Sequence, residues 1–442
     1  MLKRSFSFII CCLFAVFPIL TVNASTTFAP TISITSRSAY FVNLDTNTVV
    51  YEKEATAKMQ PAALTKIMTC LLVFENVKDI NESFTSNYDD YPSEIQGTST
   101  ADIRPGETLT IDQLLGCVIV QSANEACTIL ARRVSGSIPK FVALMNKRAK
   151  ELGCKSTNFA NPTGLKADDN YTTASDMYLI TKAAIKFPRF LEISALARFT
   201  IPPTNKNTQR VLVTTNSMID AVNGGDLYYK YATGIKAGRT DNSNRSVVES
   251  ATKSGFTYLS IMMGGGASAT GVDLPMYESK KMFEWAFSSI SYRQIASASD
   301  QVAEMPVTLA WDANHVLLTP KADLYALLPK DVDLKSIKPV IRMNKSTQAP
   351  IKKGQTLGEI TYLYNGNELG KTSLVASQAI ARSTPLYYAF VLKNFVGSIW
   401  FKITVGLIVA LVIAYFVLTL LKNKNRNKSR KVKKVKYKKK MR

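Results

Sequence analysis

One histidine, His315, occurs in the 442 residues, and it sits in a stretch of short strand-like runs toward the C-terminal end. A Ser-His-Asp triad therefore cannot be assembled in the larger N-terminal part of the chain. Cys70, Cys117, Cys127 and Cys154 show no C-x-x-C spacing and no nearby histidines, which argues against a zinc site. The first three fall within apolar helical patterns, where free cysteine behaves as a small buried hydrophobe. Hydrolytic chemistry in this chain would need a lysine as its base, or a metal for which the sequence offers no obvious ligands; no cofactor is expected.

A lysine-based pattern is present in three strings whose order is more telling than any one of them: Ala63-Leu64-Thr65-Lys66, Ser122-Ala123-Asn124 and Lys236-Ala237-Gly238. They occupy the places of S-x-x-K, S-x-N and K-T-G in β-lactamases and penicillin-binding proteins. The flanking text is more specific. Pro61-Ala-Ala-Leu-Thr-Lys-Ile-Met-Thr69 resembles P-A-S-L-T-K-I-M-T, Ser122-Ala-Asn-Glu-Ala126 resembles S-x-N-D-A, and Gly234-Ile-Lys-Ala-Gly-Arg-Thr240 resembles G-I-K-T-G-Y-T. Phe141 to Leu152, Asn158-Phe-Ala-Asn-Pro-Thr-Gly-Leu165 and Tyr171-Thr-Thr-Ala-Ser-Asp-Met177 continue the likeness, with Asn170 where a histidine is common. Ala349-Pro-Ile-Lys-Lys-Gly-Gln-Thr-Leu-Gly358 extends it, so that it runs from about Ser38 to Arg382. The chain thus resembles the D-alanyl-D-alanine carboxypeptidases, the low-mass penicillin-binding proteins.

What the resemblance implies about chemistry is altered by two residues. Positions 63 and 66 are i and i+3 on one helix face. In the family a serine at the first attacks the D-Ala-D-Ala carbonyl while the lysine takes its proton; here the first is Ala63, the nucleophile position with its chemistry lost, and Lys66 holds the general-base position. A methyl group can neither attack nor leave, and loss of the nucleophile in a comparable serine hydrolase costs on the order of 10⁶ in kcat. Thr65 faces another side of the helix. Ser122 and Asn124 are the proton-shuttling and amide-holding positions, and Ser122 is the nearest substitute nucleophile, although its family position is beside the lysine rather than at the point of attack. Ser137-Ile-Pro-Lys140 repeats the S-x-x-K spacing without the flanking text. In the third string Lys236, Ala237, Gly238 and Arg239 are the substrate-binding positions. A hydrogen bond to a charged group is typically worth roughly 1.5–3 kcal/mol, so the hydroxyl missing at Ala237 weakens a carboxylate contact, whereas Arg239 offers a two-bonded replacement. Glu125 keeps the charge of the usual aspartate.

These positions need elements to hold them. Ala39-Tyr-Phe-Val-Asn-Leu and Thr48-Val-Val-Tyr-Glu-Lys, separated by Asp45-Thr46-Asn47, read as a β-hairpin. Pro61 opens a helix through Phe74, and helical periodicity returns in residues 112–134, 140–152 and 174–187. Strand-like runs resume near Gly234, over residues 245–252 and 256–263, followed by a helix from about Pro275 to Ser289. Strands at both ends with helices between predict an α+β, β-lactamase/transpeptidase-like domain, an antiparallel sheet plus a helical cluster, over residues 25–295. Short strands at 307–311, 315–318, 323–328, 340–343 and 357–364 predict a small all-β domain over 300–385.

The chain ends carry different signals. Lys3 and Arg4, the apolar Phe6–Leu20 and Val22-Asn23-Ala24 read as a signal peptide over residues 1–24. A partly amphipathic connector over 386–402, containing Trp400, leads to Ile403–Leu421, 19 residues without a charge. As a helix that segment would be roughly 28 Å long, close to a bilayer core. Residues 422–442 then supply 13 Lys or Arg and no acid. Positive charge is retained in the cytoplasm, which predicts a single-pass cell-membrane protein with its folded domains outside and the polybasic tail inside. Of the formal +22, the tail holds 13 and the leader 2, so +7 remains for the exported part, a weak basis for nucleic-acid binding.

The reading is a carboxypeptidase-family protein of peptidoglycan metabolism, catalytically impaired, that binds stem peptides ending in D-Ala-D-Ala or a cell-wall synthesis partner. β-Lactams, which mimic that peptide end in this family, would be non-covalent ligands. The alternatives are an active serine-type carboxypeptidase with another nucleophile and a structural protein working through its β domain.

Overall fold

The computed structural model describes residues 28–241 and 244–439, with the side chains of 240, 241 and 425–439 left aside. The expected signal peptide lies outside the described residues. The chain divides into two compact units: one through Arg293 together with 326–336 and 364–367, the other made of Gln294–Tyr325, Ile337–Leu363 and the residues from Glu368 onward.

In the first unit, β1 (Ser38–Asn43) and β2 (Thr48–Lys53) form the expected hairpin. Asn43 Oδ1 accepts from the backbone N–H of Thr46, and Asn47 takes a left-handed φ of 55°; asparagine is among the few side chains that tolerate that region. The short strands β3 (Ser83–Thr85), β4 (Thr108–Thr110), β5 (Arg198–Ile201) and β6 (Arg210–Val213) pair β3 with β4 and β5 with β6. The long strands β7 (Ala232–Asp241), β8 (Asn244–Lys253) and β9 (Phe256–Gly265) complete a five-stranded antiparallel sheet in the order β2-β1-β9-β8-β7. The first strand is therefore closed by the last, with Ala39 opposite Met262.

Both sheet faces are buried. Val42, Val248, Leu259, Ile261 and Met263 join the core of the helical cluster, while Phe41, Val247, Ala251, Tyr258 and Met262 join a second core. The period-two side-chain alternation of strands makes this division possible. The second core is covered by α7 (Leu274–Ser289) through Met276, Met282 and Phe283.

The helical cluster is centred on α1 (Thr65–Asn76), whose residues 65–73 are all buried. Truncating one of its large apolar side chains would cost about 2–5 kcal/mol. Around it lie α2 (Ile111–Ile119), α3 (Asn124–Ser135), α4 (Ile138–Glu151), α5 (Ala174–Ala184) and α6 (Pro188–Ser194). The continuous helical run expected over 112–134 is corrected: it breaks at residues 120–123, where Ser122 has φ 63° and the Asn124 N–H donates to the Ser99 carbonyl instead of a helical one. The run ending at 187 also divides, because Pro188 opens a new helix at the position where its missing N–H is harmless.

The second unit contains a six-stranded sheet. There the strands β11 (Ala303–Thr308), β12 (His315–Pro320), β14 (Lys338–Met343), β15 (Thr347–Gln348), β16 (Thr356–Tyr364) and β17 (Asn367–Ala376) pair in the order β14-β16-β17-β12-β11-β15; β10 (Ile290–Ala296) and β13 (Leu324–Pro329) form a separate two-stranded sheet. β17 was not expected; of its ten residues only Leu374 and Ala376 are buried, so the sequence shows little apolar alternation. The expected connector over 386–402 holds a helix, α8 (Thr384–Gly397), interrupted at Ser398 before α9 (Ile399–Lys439). Residues Ile399–Lys424 of α9 are long and apolar enough to cross a membrane.

Candidate active site

A 3-10 turn, Ala62–Leu64, precedes α1 and places Ala63 one turn before Lys66. Ala62 has φ 48°, and an alanine there carries a backbone cost of order 1–3 kcal/mol that its surroundings must offset. Those surroundings are the loop Asn161–Leu165. Asn161 Oδ1 accepts from the N–H groups of Thr163 and Gly164, at 3.2 and 2.7 Å. Gly164 has φ +80°, and a Cβ on it would lie 1.8 Å from the Ala62 carbonyl oxygen. The Asn-Pro-Thr-Gly-Leu text thus has a physical reason: it clamps the turn that presents position 63.

The same loop secures the lysine. Lys66 Nζ donates to Asn124 Oδ1 at 2.7 Å and to the Thr163 carbonyl at 2.6 Å, and Asn124 Nδ2 donates onward to Thr98 Oγ1 at 2.8 Å. Lys66, Ser122 and Asn124 are all buried. Burial lowers the pKa of Lys66 below that of an ordinary lysine, because desolvation penalises its charged form. Asn124 reaches the lysine because the break at 120–123 makes it the first residue of α3. Glu125, next to it, accepts from Thr100 Oγ1 and the Ala101 N–H, both at 2.7 Å, and so ties down the loop that carries Ser99.

The opposite wall is β7. Gly238 approaches the Ala63 turn so closely that a Cβ on it would be 2.7 Å from the Ala63 nitrogen. Lys236 is buried and donates to the Ile119 carbonyl at 3.0 Å and to Thr215 Oγ1, a hydroxyl of a cleft-lining residue, at 3.4 Å. Burial first, and the neighbouring Lys66 second, pull its pKa down to about 7. Arg239 is exposed, and its cross-strand partner Arg245 is paired with Asp273 at 3.2 Å.

Ala63, Ser122, Ala237, Gly238 and Arg239 line one cleft of about 430 Å³ together with Ser99, Thr215, Ser217, Arg245 and Asp273. That volume falls in the range of small-ligand sites. Lys66, Asn124 and Lys236 lie beneath its surface. Sequence reading missed Ser99, Thr163, Thr215, Ser217, Arg245 and Asp273; only the Thr163 loop had a signal, its motif text. Among the described residues no cysteine lines the cleft, and burial raises the pKa of both Cys70 and Cys127, the latter to about 11. The cleft offers the exposed guanidinium of Arg239, the ion pair of Arg245 with Asp273 and four hydroxyls beside a methyl-bearing turn.

The fold, an α+β domain of helices around an antiparallel sheet followed by a β domain, is that of the penicillin-binding proteins. The family profile "D-alanyl-D-alanine carboxypeptidase" matches residues 23–267, and "Penicillin-binding protein 5, C-terminal domain" matches 291–382. The chain belongs to the D-alanyl-D-alanine carboxypeptidase family. It is 28% identical to the D-alanyl-D-alanine carboxypeptidase DacF of Bacillus subtilis over 79% of this chain and 86% of that one. Against DacA of Escherichia coli the identity is 29%, covering 78% and 84%. Penicillin-binding protein 5 of Haemophilus influenzae superposes with a TM-score of 0.61 at 25% identity, over 80% of this chain and all of the other.

Proposed function

We propose that this chain is a membrane-anchored, extracytoplasmic family member that binds peptidoglycan peptide ends terminating in D-Ala-D-Ala without hydrolysing them. The observation that carries the reading is Ala63, which lines the cleft one turn from Lys66 and against Gly238. A covalent route needs a nucleophilic oxygen, sulfur or nitrogen atom at that point, and a methyl group is there. Supporting the binding half of the reading are the exposed cationic Arg239, the Arg245–Asp273 pair and the hydroxyl residues Ser99, Ser122, Thr215 and Ser217 that line the cleft. The apolar α9 and the basic residues that follow it support anchoring with the tail in the cytoplasm.

Ser122 supports a second reading, an active carboxypeptidase, because its side chain lines the same cleft. Fluorescent penicillin separates the two. Full-length protein in detergent, with and without Ala63→Ser, is mixed with the reagent and run on a denaturing gel, and D-alanine release from a pentapeptide is measured in parallel. The proposal expects label on the variant alone and no release by the natural chain. Label on the natural chain, mapped to Ser122, would establish the second reading.

A further inference from the structure

Behind the cleft wall lies a carboxylic acid that the reading above does not use. Glu249 of β8 is completely buried, opposite Ile235 of β7 and Ser260 of β9. Its Oε2 accepts from Asn216 Nδ2 at 2.8 Å, while its Oε1 is buried with no hydrogen-bond partner. Buried polar groups without partners are uncommon enough to require an explanation.

Asn216 belongs to the segment 214–218 that forms part of the wall. Its Oδ1 accepts from the Met218 N–H at 2.9 Å and its own N–H donates to Thr214 Oγ1 at 3.1 Å, so the side chain is held inward. The residues on either side, Thr215 and Ser217, line the cleft. Thr215 is fixed further by its N–H to the Val120 carbonyl at 3.1 Å. The Asn216 amide nitrogen is held from behind by the Glu249 carboxyl group.

The geometry points to Glu249 as a positioning residue for ligand binding: its buried carboxyl group holds Asn216 and thereby sets the hydroxyls of Thr215 and Ser217 on the cleft. This rests on the ligand-binding reading proposed above. The contact suits a protonated acid, since a buried carboxylate with one donor would be poorly compensated. Burial raises the Glu249 pKa to about 8; Asp273, at the start of α7, raises it too, while the Asn216 bond and Lys236 of β7 oppose the rise. β9 faces it with the uncharged Ser260. Ionisation above that pH places a charge behind the wall and loosens the segment.

The test measures binding of a diacetylated Lys-D-Ala-D-Ala tripeptide to the full-length chain in detergent between pH 6 and 9.5, for the natural protein, Glu249→Gln and Glu249→Leu. Lys236 titrates in both the natural and the Gln protein, and because it is coupled to Glu249 their difference reads the Glu249 carboxyl together with its pull on Lys236. Affinity of the natural protein should fall about fivefold more than that of Glu249→Gln above pH 8, and Glu249→Leu should bind about tenfold more weakly throughout, the loss expected for one orphaned buried amide. Parallel profiles for the natural and Gln proteins would overturn the inference. If no protein binds the tripeptide, the ligand reading fails, and hydrogen exchange decides the role of Glu249. Faster exchange over 214–218 in Glu249→Leu, with β1 and β9 unchanged, would uphold the positioning role; unchanged exchange would overturn it.

Discussion

Lys66 on the floor of the cleft and Lys236 on its β7 wall are both buried amines, yet their surroundings differ. Lys66 is held at 2.7 and 2.6 Å by partners that are themselves tied to Thr98 and Asn161, a short closed network. Lys236 has a carbonyl at 3.0 Å and a hydroxyl at 3.4 Å, and around it the wall carries a methyl at Ala237, an exposed Arg239 and the half-partnered Glu249. The floor residues stabilise one another whether or not chemistry occurs. Their presence therefore says little about function, and the wall is the better reporter of what the cleft binds.

The largest effect that can break this comparison is chemical. Under the proposed reading Ala63→Ser completes an intact floor, and its rate of penicillin acylation should exceed that of the natural chain by a factor on the order of 10⁶. A variant that stays unlabelled in a gel assay would mean the floor is not competent. The wall can be probed through protons. Folded Glu249 keeps its proton to about pH 8 against an ordinary 4.5, so the unfolded chain binds fewer protons between those values and stability falls as pH rises across the window. Denaturant melts of Glu249→Gln should show a gain relative to the natural chain that grows from pH 4.5 to 8 and is then level, reaching on the order of 3–5 kcal/mol. A difference independent of pH would contradict the neutral acid.

Two smaller effects sharpen the contrast. Gly164→Ala forces a Cβ into the Ala62 carbonyl at a φ of +80° and should cost about 3 kcal/mol in denaturant unfolding. Little change would mean that the floor yields more easily than its geometry implies. Ala237→Thr restores a hydroxyl to the wall and should tighten tripeptide binding about tenfold, with calorimetry as the measurement. Unchanged affinity would place the ligand carboxylate elsewhere, at Arg239 and Arg245.

Much of the scaffold was legible because its signals are local. The turn at Asp45-Thr46-Asn47, the strands around 245–252 and 256–263 and the helix from Pro275 each carry their own turn residues, alternation or cap. The break at 120–123 was not legible, since Val120 and Ala123 continue an apolar pattern and the left-handed Ser122 leaves no trace in composition. The bond of Lys236 to Ile119 and the pairing of Glu249 with Asn216 depend on segments 117 and 33 residues apart. No window of sequence contains both partners. β17 escaped for another reason: its pairing gives the strand its form, and its apolar residues do not alternate with its polar ones.

The mutual support of Lys66, Asn124 and Thr163 has a consequence for how this chain can change over generations. Removing Lys66 or Asn124 would orphan a buried group, whereas Thr163 gives its backbone carbonyl, so selection for folding alone keeps the two side chains in place even where turnover is absent. Every alanine codon differs from a serine codon by its first base. Under the proposed reading a single point mutation at position 63 would return the missing oxygen to a floor that folding has preserved, and the loss at that position is therefore among the most readily reversed in the molecule.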